Sequence, residues 1–239
     1  MATPLDKTHI RSLSVFAGMD DASFDQFLSQ STQRVVSKGA AVFNQGDDAS
    51  HFYVLLRGRL KVMQVTVDGQ QIIVRVVNPG ELFGFAVALG REDYPGTPLA
   101  AVDSLVLAWP MEMMTDFMAR NPALAVNTMQ IIGRRLDAAH NRIREISTQE
   151  VEPRVAHAVL RLVGEAGVKE SGGVRIDFPV SRQDIAELTG TTLHTVSRII
   201  SQWQAKGWVE GGRQSLLVRE LRHLRSIAEG ESSSASRKV

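Results

Sequence analysis

Between Ser181 and Lys206 the chain sets hydrogen-bonding side chains where two short helices would present them outward. Ser181 can cap a first helix, Asp184 stands three residues on, and Ile185, Ala186 and Leu188 form its inward face. Gly190 suits the tight turn between two crossed helices, where a side chain is expected to crowd the crossing. Thr192 can cap a second helix, whose inward face is Val196, Ile199, Ile200 and Trp203. Leu193, His194, Ser197 and Arg198 then point the other way, on its first two turns. An arginine there can fork two hydrogen bonds to guanine O6 and N7, and His194 and Ser197 can each donate or accept. Ser181, Arg182, Gln183, Thr192 and Thr195 fall where helix N-termini and hydroxyls can hold phosphates. This is the chemistry of a helix-turn-helix in a DNA major groove, with His194, Ser197 and Arg198 as base contacts.

Composition excludes much else. With 44% hydrophobic and 22% charged residues, the 239-residue chain has the mass of one large or two ordinary globular domains. No apolar run approaches the ~18 residues that cross a bilayer, so no membrane partner is expected. Met1 to Phe16 lacks a secretory h-region, and the expected location is cytoplasmic. The absence of cysteine removes disulfides, cysteine-ligated iron–sulfur clusters and thiol nucleophiles. A net charge of +1, from 27 basic and 26 acidic residues, does not argue against DNA, which needs only one basic surface. No catalytic constellation is evident. A metal-dependent enzyme on a β-barrel would need clustered histidines, and His51 is the single histidine between Val35 and Trp109.

Three sequence patterns position these residues. Short β-rich runs at Val35–Val36, Ala41–Phe43, Phe52–Leu56, Arg59–Val67, Gln71–Val77 and Leu105–Trp109 alternate with glycine-marked turns, Asp68-Gly69 among them. They predict an antiparallel barrel or sandwich, preceded by a short helix over Asp21–Ser29. Asn121 can cap, and Pro122 can begin, a long helix. Ala125, Met129, Ile132, Leu136, Ala139, Ile143 and Ile146 recur along it at alternating steps of 4 and 3, a heptad seam suited to a parallel homodimer. A helix over Arg154–Glu165, the helix-turn-helix, and a two-stranded wing from Gly207 to Val218 complete the third pattern. The fold class is therefore α+β. Expected divisions are a sensor domain over 1–120, a dimerisation helix over 121–148, a winged helix-turn-helix over 149–228, and a polar, disordered tail over 229–239.

Nearly the whole chain resembles the Crp/Fnr family of bacterial transcription regulators. The stretches NQGDDASHFYVLLRGRLKV (Asn44–Val62) and VNPGELFG (Val77–Gly84) are similar to the family's cyclic-nucleotide-binding-like β-roll, a jelly roll. SRQDIAELTGTTLHTVSRIISQWQAKGWV (Ser181–Val209) resembles its DNA reader. The resemblance implies a homodimer on a palindromic double-stranded operator, RNA polymerase as a further partner, and an effector in the roll. By population shift, that effector would repack Met129, Ile132 and Leu136 against the partner helix.

Departures from the family pattern bear on the effector. Cyclic-AMP-binding members hold the phosphate with an Arg-Ser pair after the Gly-Glu-Leu motif; Gly80, Glu81 and Leu82 are present here, but the matching region is Tyr94-Pro95-Gly96-Thr97-Pro98. A buried phosphate without arginine is poorly compensated, so cyclic nucleotide is not expected. Carbon monoxide sensors carry a haem-ligating histidine where this chain has Ala86. The His194–x–x–Ser197–Arg198 pattern is similar to the nitric-oxide-responsive, NnrR-like branch, which implies haem, nitric oxide and activation of denitrification genes. His194 belongs to the DNA face, His140 to the seam, and His157 and His223 to the DNA-binding part. His51 and His9 are then the candidate haem ligands, although a lone histidine at a strand start is more often solvated or packed. Met111, Met113, Met114 and Met118 read as core packing. Phe83, Phe85, Val87, Leu89 and Leu99 are candidates for an apolar pocket wall. A cyclic-nucleotide-responsive or ligand-independent regulator is the alternative.

Overall fold

The computed structural model describes residues 7–86, 89–212 and 214–230. These described residues fall into two compact units, one drawn from residues 7–68 and 74–138 and the other from 69–73 and 139–230. Among the described residues, no helix is long and apolar enough to cross a membrane.

The first unit begins with helix α1 (Lys7–Arg11) and α2 (Asp21–Ser29), the latter over the predicted residues. The Asp20 carboxylate caps α2 by accepting from the Ser23 N–H. Strands β1 (Thr32–Val36), β2 (His51–Arg57), β3 (Leu60–Val65), β4 (Gln71–Val77), β5 (Leu82–Phe83), β6 (Thr97–Ala100) and β7 (Ser104–Pro110) follow. They build two sheets, ordered β1-β7-β2-β5 and β4-β3-β6. β1, β2 and β5 pair antiparallel to their neighbours, as do β3 and β6, giving the expected roll. Ala41–Phe43 differs from the strand predicted there, since Ala41 makes only an isolated bridge to Leu99. The two-residue β5 and the Pro-containing β6 carry too little apolar alternation to be read from sequence.

Aromatic packing closes one end of the roll. Phe27 of α2 stacks on Trp109 of β7 at 4.4 Å between ring centres, and the Trp109 indole N–H donates to the Phe27 carbonyl at 2.8 Å. Phe117 of α3 (Met113–Arg120) meets the same Phe27 ring edge-on at 4.4 Å. Met111 and Met114 are buried in this core, in line with their reading as packing residues. Asn121 does not cap the long helix with its side chain. Its amide turns back and donates to the Phe117 carbonyl, closing α3 instead.

Helix α4 runs from Pro122 to Thr148. The second unit contains α5 (Val151–Ala166), a hairpin of β8 (Gly167–Glu170) and β9 (Gly173–Ile176), α6 (Arg182–Thr189), α7 (Leu193–Ala205), a hairpin of β10 (Val209–Gly212) and β11 (Ser215–Val218), and α8 (Leu221–Ala228). The wing is part of a four-stranded antiparallel sheet ordered β10-β11-β9-β8, larger than the two strands expected. β8 exposes all four of its residues, which leaves no apolar period to betray it. α8, also not foreseen, buries Leu224, Ile227 and Ala228. Of the expected tail over 229–239, residues 231–239 lie outside the described residues.

Candidate DNA interface and effector pocket

α6 and α7 form the helix-turn-helix. Ser181 closes a capping box: its hydroxyl accepts from the Asp184 N–H, while the Asp184 carboxylate accepts from the Ser181 N–H. Thr192 caps α7 by accepting from the Thr195 N–H, with the two threonine hydroxyls 2.9 Å apart. Ile185 and Ala186 are buried against Val196, Ile199, Ile200 and Trp203, whereas Leu188 is only half-buried and Thr189 takes the interior place. Gly190 holds φ +63°, and a Cβ there would meet nothing within 4 Å. The turn therefore requires glycine for its left-handed backbone and not, as the sequence suggested, for want of room. Gly190→Ala should cost about 1–2 kcal/mol in a denaturant melt of the protein, with the fold retained.

The structure brings the proposed base-reading residues to one exposed face. His194 and Arg198 are exposed, Ser197 is half-buried beside them, and the side chain of neither His194 nor Arg198 makes a hydrogen bond or ion pair within the described residues. The residues named for phosphates divide. Gln183 and Thr192 are exposed and Thr195 is half-buried at the helix N-termini, although the Gln183 amide already donates to Glu187 at 2.8 Å. Arg182 is folded back: its guanidinium donates to Gln204 Oε1 at 2.9 Å and to Ser201 Oγ at 3.3 Å, tying α6 to α7. The Ser181 hydroxyl is occupied in the capping box. In this conformation Arg182 and Ser181 hold the motif together, a role that residue type alone does not separate from phosphate binding.

Helix α4 carries two stripes. Leu124, Thr128 and Ile131 are buried on the roll, and Arg135 continues their 4-3-4 spacing as a half-buried residue. The heptad seam lies beside them. Met129 is 62% exposed, Leu136 54%, Ile143 61% and Ile146 47%, with Ala139 also exposed and Ala125 and Ile132 half-buried. So many large apolar side chains in register on one face of one helix are an uncovered surface.

The roll contains a pocket of about 200 Å³ lined by Phe43, Phe83, Phe85, Tyr94, Arg75 and Arg135, among others. Phe83, Phe85 and Leu89 belong to it as the sequence suggested, while Leu99 does not line it and Val87 lies outside the described residues. Phe43 stacks on Tyr94 at 3.7 Å and lies 6.1 Å from Phe83. Gly84 (φ +73°) lets the chain pass close to these rings, because a Cβ there would stand 2.9 Å from the Tyr53 ring. The Arg135 guanidinium lies over the Phe85 ring, 4.7 Å from its centre, and donates to the Leu82 carbonyl. Glu81 accepts from Arg75 at 2.9 Å and from Asn78 at 3.0 Å, and stands 4.0 Å from Arg135. Burial, and then the positive charge of Arg75, push Arg135 down to about 9.

Sequence reasoning missed both arginines of the pocket. The family pattern points to the loop after Gly-Glu-Leu for arginine, whereas β4 and α4 supply it here. The signal was present in α4, where Arg135 interrupts an otherwise uncharged buried period. His51 and His9 are not brought to this pocket. The His51 backbone N–H donates to the Tyr94 hydroxyl at 2.9 Å, the Tyr94 hydroxyl donates to the His51 carbonyl at 2.6 Å, and the His51 ring Nδ1 lies 3.0 Å from Ser50 Oγ. His9 is exposed on α1. Among the described residues, no group of three or more histidine or acidic side chains could hold a metal ion.

A sensor-like roll and a winged helix-turn-helix in one chain define a class of DNA-binding regulators. Family comparison agrees with that class. Residues 33–121 match the cyclic nucleotide-binding domain and residues 153–227 the Crp-like helix-turn-helix domain. The cyclic AMP receptor protein of Thermus thermophilus is 29% identical over 90% of this chain and 97% of its own length. The transcriptional activator FnrA of Stutzerimonas stutzeri is 25% identical over 82% of this chain and 80% of its own. The structure of FixK2 from Bradyrhizobium japonicum superposes with a TM-score of 0.73 at 21% identity, covering 82% of this chain and 96% of that one. The chain belongs to the Crp/Fnr family of transcription regulators.

Proposed function

We propose that the protein is a homodimeric, sequence-specific regulator that reads a palindromic operator through His194, Ser197 and Arg198, and whose roll pocket takes a small effector. The observation that carries this reading is the exposure of Arg198 on the first turns of a capped recognition helix, with no partner in its own unit. Two copies joined along the α4 seam would present two such helices, and two-fold symmetry calls for half-sites about one helical turn apart. Effector binding beside Arg135 would shift the packing of the neighbouring seam, coupling pocket to operator affinity. RNA polymerase is the partner that a regulator of this family would recruit or block.

Haem-based nitric oxide sensing in control of denitrification genes has no support in the pocket. Neither His51 nor His9 lines it, and a cavity of about 200 Å³ is small beside the ~300–1,000 Å³ usual for ligand sites. The donor set does not fit haem there. A cyclic nucleotide is again open on charge, since Arg75 and Arg135 supply the cations that the loop after Gly-Glu-Leu lacks.

Selection of operators from random duplexes, followed by fluorescence anisotropy, tests the reading. Arg198→Ala should lose about 1–3 kcal/mol on the selected site and relax preference at one guanine per half-site. An equal loss on every DNA sequence would count against base reading by Arg198.

A further inference from the structure

We propose that the roll pocket is built for a small apolar monocarboxylic acid, an aromatic acid in preference to a cyclic nucleotide, with Arg135 receiving the carboxylate. This deepens the effector reading above and rests on it. The pocket walls are apolar: Phe43, Phe83, Phe85 and Tyr94 with Val62 and Val74. The stacked faces of Phe43 and Tyr94 show the geometry that a planar ring would extend. Against this lining stands one cation whose own unit leaves it poorly compensated. Within the described residues the Arg135 guanidinium makes a single hydrogen bond, to a backbone carbonyl, and its nearest carboxylate, at 4.0 Å, is already committed to Arg75 and Asn78. A half-buried guanidinium with unused donors favours an anion with two oxygens in one plane, which it can hold through paired hydrogen bonds.

The rest of the lining decides between acids. A cyclic nucleotide brings one negative charge, but also ribose and base groups that need hydrogen-bonding partners once buried. Apart from the arginines, the side-chain amide among the lining residues is Gln64, one of whose two N–H groups donates to the Pro95 carbonyl at 2.8 Å. The several polar edges of a nucleotide would find few partners among phenylalanine, valine and proline. A carboxylate on an apolar body has no such edges, and its volume suits a cavity of about 200 Å³.

Calorimetric titration of the full-length protein with phenylacetate tests this, with 2-phenylethanol as the uncharged counterpart and with cyclic AMP and inorganic phosphate as competitors. Phenylacetate should bind once per protomer, and the alcohol about 10–100-fold more weakly, because a charge-assisted pair is lost. Arg135→Met should weaken the acid by a similar factor without changing the alcohol, and Arg135→Lys should fall between. Should Arg135→Met fail to fold, the acid–alcohol comparison on the native protein still decides. Equal affinity for acid and alcohol, no binding of either, or tighter binding of cyclic AMP or phosphate would overturn the proposal. Operator binding by the same preparation separates the two failures. Selective DNA binding without acid binding rejects the ligand class alone, and absence of any selective DNA binding rejects the regulator reading.

Discussion

A chain carrying Leu136→Glu and Ile143→Glu should sediment as a monomer and lose at least ~10³-fold in operator affinity. Leu136 and Ile143 are one heptad apart, each more than half exposed, and flanked along the same face by Met129, Ala139 and Ile146. In a parallel pair of α4 helices they would meet their own copies, so two glutamates would place four carboxylates in a seam that excludes water. A monomer can engage only one half-site. Its binding would approach the non-specific level, which for such proteins lies typically 10³–10⁷-fold below specific binding. Because both side chains face solvent in the single chain, its melting curve at low concentration should move little. Sedimentation and anisotropy on the same samples separate the two effects, and a dimer that survives the double substitution would place the interface elsewhere.

Trp203→Ala should cost about 3–5 kcal/mol and leave much of the C-terminal unit unfolded near room temperature. Trp203 is fully buried in the last turn of α7, and its indole N–H donates to the Glu152 carboxylate of α5 at 2.8 Å. Truncation removes a large apolar volume and also strands that carboxylate without its donor. Phe at this position should recover most of the packing but not the hydrogen bond, so Trp203→Phe should lose only ~1–3 kcal/mol. Urea melts followed by circular dichroism give both values. A loss below 1 kcal/mol for the alanine variant would mean that α7 is held by its other contacts, chiefly Val196, Ile199 and Ile200.

The helix-turn-helix was legible because its signals are local and redundant. Caps, a turn glycine and two apolar periods fall within 26 residues, and each can be checked against its neighbours. Strands β4 and β7 were legible for the same reason, as β-branched or apolar runs between turns, β4 broken only by Arg75 after its first residue. What escaped was set by partners that residue type alone does not name. β8 is an exposed strand, formed because β9 offers it a ladder. Asn121 has the composition of an N-cap, yet the Phe117 carbonyl takes its amide. Arg182 looks like a phosphate ligand until Gln204 is seen within 2.9 Å. The pocket is the clearest case, since Phe43, Arg75, Tyr94 and Arg135 come from four separate stretches and no spacing rule joins them.

Arg135 and Leu136 are consecutive on α4, yet one borders the pocket and the other lies on the exposed stripe. An α-helix turns about 100° per residue, so the angle between these two faces is fixed by covalent geometry. The helix thus behaves as a keyed shaft. A twist applied at the arginine cannot be absorbed before it reaches the leucine, because no loop, glycine or proline lies between them. One residue inserted at that junction would leave every side chain present, but turn the seam from Leu136 onward by about 100° relative to Arg135 and to Met129 and Ile132 before it. Substitutions weaken one face at a time; a change of phase breaks the register between pocket and seam while keeping every side chain.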